Sequence, residues 1–204
     1  MLQGVNLACV RGDRELFHDV NFSVAAGSLL QVRGPNGSGK TSLLRMLCGL
    51  SHPAAGEIRW NGESIRSLDG EYYAALTYIG HLSGTKDDLT ALENLQISSA
   101  LAGFEISVAE AAAALREIGL KGREMLPVKV LSQGQRRRVV LARLLVCKTA
   151  LWILDEPLVA LDVAAVSLIQ NLLEQHLQQG GMIVMTTHQE IEINAAAISQ
   201  LQLN

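Results

Sequence analysis

Gly34-Pro35-Asn36-Gly37-Ser38-Gly39-Lys40-Thr41 decides how the rest of this chain is read. The stretch fills every fixed position of the phosphate-binding pattern G-x-x-x-x-G-K-[ST]. Ahead of it runs a short apolar segment, Leu29-Leu30-Gln31-Val32. Behind it, Leu43, Leu44, Leu47 and Leu50 recur at helical spacing, which predicts a helix running to a stop at Gly49. A strand, a glycine loop and a helix in that order make the pattern a credible site. The glycines let the main chain turn tightly and bring its N–H groups against phosphate oxygens. The helix opening near Ser38 adds the positive end of its dipole. Lys40 is placed to neutralise β- and γ-phosphates, Thr41 to hold Mg2+ through its hydroxyl, and Ser42 to join the cradle.

Working outward, Leu151-Trp152-Ile153-Leu154-Asp155-Glu156 is an apolar strand ending in two carboxylates. Alone, such a pair is an ordinary solvated strand end. Beside Lys40 and Thr41 it reads as a metal-ordering aspartate followed by a base that polarises water for in-line attack. Met182-Ile183-Val184-Met185 is a second apolar strand, and the helix 163–178 lies between the two. That order predicts a parallel sheet. His188 follows the second strand through Thr186-Thr187, at the end of a sheet strand where ligands gather, and reads as a γ-phosphate sensor.

Val20–Val24 alternates as a strand, and Glu57–Trp60 followed by Asn61-Gly62 reads as a strand and tight hairpin turn. Leu76–Ile79 is a further strand. From about 86 to 147 the pattern turns helical, with helices over 109–118 and 132–146. Ser132 is the expected N-cap of the latter, and Ser132-Gln133-Gly134-Gln135 forms a second helix start able to bind an anion. One triphosphate cannot easily use both helix starts within one chain, whereas a head-to-tail dimer could sandwich two between them. Arg136, Arg137 and Arg138 point about 100° apart on a helix and form no single patch, so a solvated helix face with partial packing is expected.

Composition narrows the classes. The chain has 204 residues, 49% of them hydrophobic and 4% aromatic, enough for one α/β domain with an aliphatic core. A net charge of −3 gives no electrostatic footprint for nucleic acid. Cys9, Cys48 and Cys147 have no metal-ligand spacing and read as reduced thiols. Met1-Leu2-Gln3-Gly4 lacks the build of a signal peptide, and Arg143 and Lys148 interrupt the longest apolar stretch. The expectation is a chain that reaches a membrane only through a partner.

Taken together, GPNGSGKT, LSQGQ, WILDEP and TTHQ resemble the Walker A, signature, Walker B and switch-histidine segments of ABC transporter ATP-binding subunits, over essentially the whole chain. The resemblance implies a phosphate-loop NTPase fold: a RecA-like parallel sheet with a small antiparallel β subdomain and an inserted helical subdomain, as one domain over 1–204. It implies ATP and Mg2+, and a homodimer in which Ser132 and Gly134 of one copy complete the site of Lys40 in the other. Four positions depart from the family pattern. Arg11 stands where a base-stacking aromatic is usual, and its guanidinium can take that place. His81 replaces a glutamine and can contact the water or the metal shell. Gln133 replaces a glycine and Val159 a serine.

With IGH, LTALENL and WILDEP, these departures look like the subgroup that serves bacterial cytochrome c maturation. That implies integral membrane permease partners, a peripheral place on the cytoplasmic face of the inner membrane, and ATP hydrolysis that energises haem export or release of a haem chaperone. No Cys-x-x-Cys-His occurs, and no residues for a porphyrin are evident. An ATPase of another ABC exporter or importer would share the mechanism. Soluble ABC-type ATPases acting on nucleic acid or ribosomes carry coiled coils or a second ATPase domain, which this chain lacks. Phosphate-loop kinases lack LSQGQ.

Overall fold

A computed structural model describes residues 1–187, 193–195 and 197–204. The chain divides into two compact units. The first comprises Met1–Tyr78, Thr149–Glu156 and Leu172–Asn204, and the second Ile79–Lys148 and Pro157–Asn171.

In the first unit, β1 (Leu2–Arg11), β2 (Arg14–Val24), β4 (Ala55–Trp60) and β5 (Glu63–Ser64) form an antiparallel sheet in the order β2-β1-β4-β5. Asn61 and Gly62 both take positive φ, 53° and 92°, as a two-residue hairpin turn between twisted strands requires. β2 begins six residues before the expected Val20, because Arg14–Asp19 is rich in charge. That stretch is the mostly exposed arm of the β1–β2 hairpin, with Arg11 paired to Arg14, and it buries Phe17 alone, too little to show as an alternating pattern.

The second sheet runs β6 (Leu76–Ile79), β7 (Leu151–Asp155), β8 (Met182–Thr186), β3 (Ser28–Arg33), β9 (Ala197–Gln202). β7, β8, β3 and β9 pair in parallel. Every residue of β7 and β8 is buried, which is why both read as unbroken apolar runs. The register sets Asp155 beside Thr186 and Thr186 beside Val32. The carboxyl ends of three strands are therefore level at one edge, where open α/β sheets bind ligands.

The helix α1 (Lys40–Leu47) packs Leu43, Leu44 and Leu47 into a core shared with Leu30, Val32, Ile153 and Val184 of the parallel sheet and Leu2, Leu7 and Trp60 of the antiparallel one. Its end is a Schellman cap. Leu50 N–H donates to Arg45 O, Gly49 N–H to Met46 O, and Gly49 has φ 69°. Leu50 thus falls beyond the helix and is exposed, contrary to the helical spacing that grouped it with Leu43 and Leu47. The helix α2 (Asp69–Ala74) buries Tyr72, whose hydroxyl donates to Leu47 O at 2.6 Å.

The second unit holds α3 (Ala91–Leu101), α4 (Val108–Leu115), α5 (Gln133–Leu141) and α6 (Arg143–Val146); α7 (Val163–Gln178) runs from it into the first. Thr90, Ser107 and Ser132 begin α3, α4 and α5 with capping boxes closed by Glu93, Glu110 and Gln135. α4 stops short of the expected Ile118. Residues 116–120 form a wide π turn with Gly119 inside it at φ 86°. The helix expected over 132–146 is two pieces. At Ala142 the ladder tightens, and Leu145 N–H donates to Ala142 O, three residues back. The three arginines are packed further than the partly packed, solvated face expected. Arg136 reaches Leu131 O, Lys129 O and Asp87; Arg137 is buried; Arg138 pairs with Asp162 at 2.6 Å.

Candidate nucleotide site

The loop between β3 and α1 is shaped by its glycines. Gly34 has φ 151°, and a Cβ there would press on the Leu203 carbonyl and lie 2.5 Å from Ser38 Oγ. Gly39, the N-cap of α1, has φ 97°, and a Cβ there would meet the Phe17 ring at 2.9 Å. Glycine is needed at both for conformation and for space. Pro35, Asn36 and Gly37 are exposed on the outside of the loop, while Ser38, Gly39 and Lys40 are buried. Lys40 Nζ donates to Gly34 O at 2.7 Å and Pro35 O at 3.0 Å, which holds the ammonium against the loop. Ser38 Oγ is buried with no hydrogen-bond partner among the described residues. An ammonium and the N-terminus of α1 at one cleft fit a polyanion.

On the other side of Thr41 lies a chain of oxygens. Thr41 Oγ1 donates to Asp155 Oδ2 at 2.8 Å, and Thr186 Oγ1 donates to Asp155 Oδ1 at 2.7 Å. Glu156 N–H in turn donates to Thr186 Oγ1 at 2.8 Å. Asp155 is only 3% exposed, so the two hydroxyls orient a carboxylate that cannot rotate freely. Glu156 has φ 48°, a left-handed backbone unusual for a residue with a long side chain. Thr41 and Asp155 offer hard oxygen ligands suited to Mg2+. No cluster of three or more His, Cys, Asp or Glu that could hold a metal occurs among the described residues.

A cleft of about 430 Å³ opens over these groups, lined by Arg11, Arg14, Asn36, Lys40, Thr41 and Glu156, with Ser42 on its wall. A second hollow of about 440 Å³ shares Arg11, Thr41 and Ser42 with it and extends to Arg45 and His52. Three cations against one glutamate give the first cleft a positive field.

The structure thus gathers Arg11, Gly34–Ser42, Asp155 and Glu156 in the first unit. His81 and Ser132–Gln135 belong to the second unit. His81 is exposed on the segment after β6. The Ser132 hydroxyl accepts Gln135 N–H, and the Gln135 side chain accepts Ser132 N–H; Gln133 is exposed. Gly134 has a reason within its own chain to be glycine: a Cβ would lie 2.5 Å from Ala160 O. Val159, next to Ala160, is exposed. His188 lies outside the described residues. Two groups went unnoticed in the sequence. Thr186 is signalled only as the first hydroxyl after the apolar run of β8, and Arg14 only as the basic partner of Arg11 across the hairpin.

This sheet order, with a glycine loop feeding a helix beneath it, is that of the phosphate-loop nucleoside triphosphatases. The chain belongs to the ABC transporter family, whose family model matches residues 17–159. It is 68% identical over 99% of its length, and 98% of the relative's, to the cytochrome c biogenesis ATP-binding export protein CcmA of Nitrosospira multiformis. It is 62% identical over its full length, and 96% of the relative's, to the protein of the same name from Nitrosomonas europaea. Among solved structures it is similar to a dimeric post-hydrolysis state of an ATP-binding cassette bound to ADP and Pi. There the TM-score is 0.81 at 25% identity, covering 93% of this chain and 88% of that one.

Proposed function

We propose that this chain is the ATP-hydrolysing subunit of a membrane ABC transporter complex of cytochrome c biogenesis, energising haem export or release of a haem chaperone. One observation carries the hydrolytic part. Thr41, Asp155, Thr186 and Glu156, from three separate segments, form one hydrogen-bonded chain directly behind the phosphate loop. The names of relatives that match the chain end to end support the biological setting.

In this reading the backbone of Gly34–Gly39 and Lys40 hold the β- and γ-phosphates, and Arg11 covers the base. Ser42 borders the phosphates. Thr41 and Asp155 would hold Mg2+, which would neutralise charge on the phosphate oxygens. Glu156 takes a proton from water as its oxygen attacks the γ-phosphorus in line, and the bond to the β–γ bridging oxygen breaks to leave ADP. His81 contacts that water or the metal's water shell, and His188 the γ-phosphate. A second copy supplies Ser132-Gln133-Gly134-Gln135 over the nucleotide, so ATP binding closes a homodimer and hydrolysis reopens it. Integral membrane permease subunits receive this stroke. Among the described residues no helix is long and apolar enough to cross a membrane, which fits a subunit held peripherally at the cytoplasmic face of the inner membrane. Nucleic acid has no part in the reading.

The test is affinity purification of the chain from detergent-solubilised membranes. Cytochrome c maturation permeases should co-purify in stoichiometric amounts, and Mg2+-dependent ATP hydrolysis should be lost in Lys40→Ala. A peptide or drug permease in their place would overturn the cytochrome assignment. Unchanged hydrolysis by Lys40→Ala would overturn the site.

A further inference from the structure

The arginine run that opens α5 behaves in three different ways. Arg136 and Arg138 pair with Asp87 and Asp162, whose carboxylates stay largely exposed to solvent. Arg137 is different. It is 5% exposed and donates to two main-chain carbonyls: Nη1 to Gly80 O at 2.8 Å and Nε to Pro157 O at 3.4 Å. Burying a guanidinium is costly unless its donors are met, so this group is held where it is by the carbonyls it serves.

Those two carbonyls are not arbitrary. Gly80 immediately precedes His81, and Pro157 immediately follows Glu156. One side chain on the helix that starts at Ser132 therefore ties the segment after β6 to the segment after β7. A carbonyl acceptor fixes main chain rather than side chain, so the bonds set where the two flanking residues begin. The planar guanidinium has directed donors that reach two acceptors at once, whereas a lysine ammonium on the same stem is a single point.

We propose that Arg137 is a positioning residue for hydrolysis, acting through Gly80 and Pro157 on the main chain that carries His81 and Glu156. The inference rests on the ATPase reading given above. Without Arg137 the nucleotide is still bound by the loop and Lys40, but the segments that carry the water-side groups lose their common anchor.

The experiment measures kcat and KM for ATP and the melting temperature of the full-length chain. The variants are Arg137→Gln, Arg137→Lys, His81→Ala and Arg137→Gln combined with His81→Ala. Val140→Ala, a buried position on the same helix, provides a control whose effect is on stability alone. Loss of precise placement costs turnover steeply, so Arg137→Gln should lower kcat about tenfold or more with KM within about twofold. Arg137→Lys should recover little of it. The double variant should be no slower than the slower single within about twofold, since both changes strike one unit. Val140→Ala should lower the melting temperature with kcat retained. An unchanged kcat in Arg137→Gln, losses that multiply in the double variant, or an equal loss in Val140→Ala would each overturn the proposal. If the wild-type chain itself fails to hydrolyse ATP, the ATPase reading falls and this one with it. Wild-type turnover with multiplicative losses removes the positioning role alone.

Discussion

Removing the Thr186 hydroxyl without changing the side chain's shape strikes the centre of the oxygen chain. Thr186 is fully buried, accepts the Glu156 N–H and donates to Asp155 Oδ1. In Thr186→Val the carboxylate loses one of its two hydroxyl donors and keeps Thr41, while the Glu156 N–H loses its hydroxyl acceptor. A hydrogen bond to a charged group contributes about 1.5–3 kcal/mol, and a buried donor left unmet costs about 1–3 kcal/mol. The two overlap because one hydroxyl serves both, so the expected loss is about 2–4 kcal/mol. For a chain of this size that lowers the melting temperature by roughly 5–15 °C. Turnover should fall as well, because Glu156 sits at φ 48° and that backbone persists only where its surroundings hold it. Thermal melts by circular dichroism and phosphate release on the same preparations read both effects. Thr186→Ser, which keeps the hydroxyl, should recover most of each. A valine variant that melts within about 2 °C of wild type and hydrolyses ATP normally would refute the assignment of Thr186 as the group orienting Asp155 and Glu156.

Two other perturbations have definite signs. His176 stacks flat on Trp152, with ring centroids 3.7 Å apart, and burial pushes its imidazole from the usual 6.5 down to about 4. As pH falls through 6.5 the unfolded chain takes up a proton that the folded chain refuses until about 4, so stability is lost across that window and is intact above it. The ring is partly solvated, so the loss should be on the order of 1–2 kcal/mol, read as a urea midpoint that falls between pH 7 and 4.5 and falls less in His176→Phe. Gly134→Ala would set a methyl 2.5 Å from Ala160 O, so α5 or the Ala160 segment must shift. A loss of about 1–3 kcal/mol in the isolated chain is expected, and a melting temperature unchanged from wild type would contradict the close packing of Gly134 on Ala160.

The phosphate loop was legible because its chemistry is local. Gly34 and Gly39 are required by their own dihedrals and near neighbours, and eight consecutive residues carry the whole signal. Asp155 and Glu156 were legible as acids closing an apolar strand, and the parallel sheet as apolar runs separated by helix. What stayed hidden depends on pairing between distant segments. Thr186 has value only because β7 and β8 are in register, which brings a common residue beside Asp155. Arg137 reads as one of three surface charges until Gly80 and Pro157 are folded around it. Arg14–Asp19 is strand by hairpin pairing and buries Phe17 alone, so its sequence carries no alternating face. Leu50 misled for the opposite reason: the spacing continued after the cap had already turned the chain away.

Glu156→Gln tests the central claim most directly, because it alters the proposed base while leaving Lys40, Thr41 and the loop in place. The measurement is phosphate release from ATP by the variant and by wild type, with ATP affinity determined on the same samples. The expected result is near-native affinity with release at least about a hundredfold slower, the loss typical of removing a general base. Release at the wild-type rate would contradict the account.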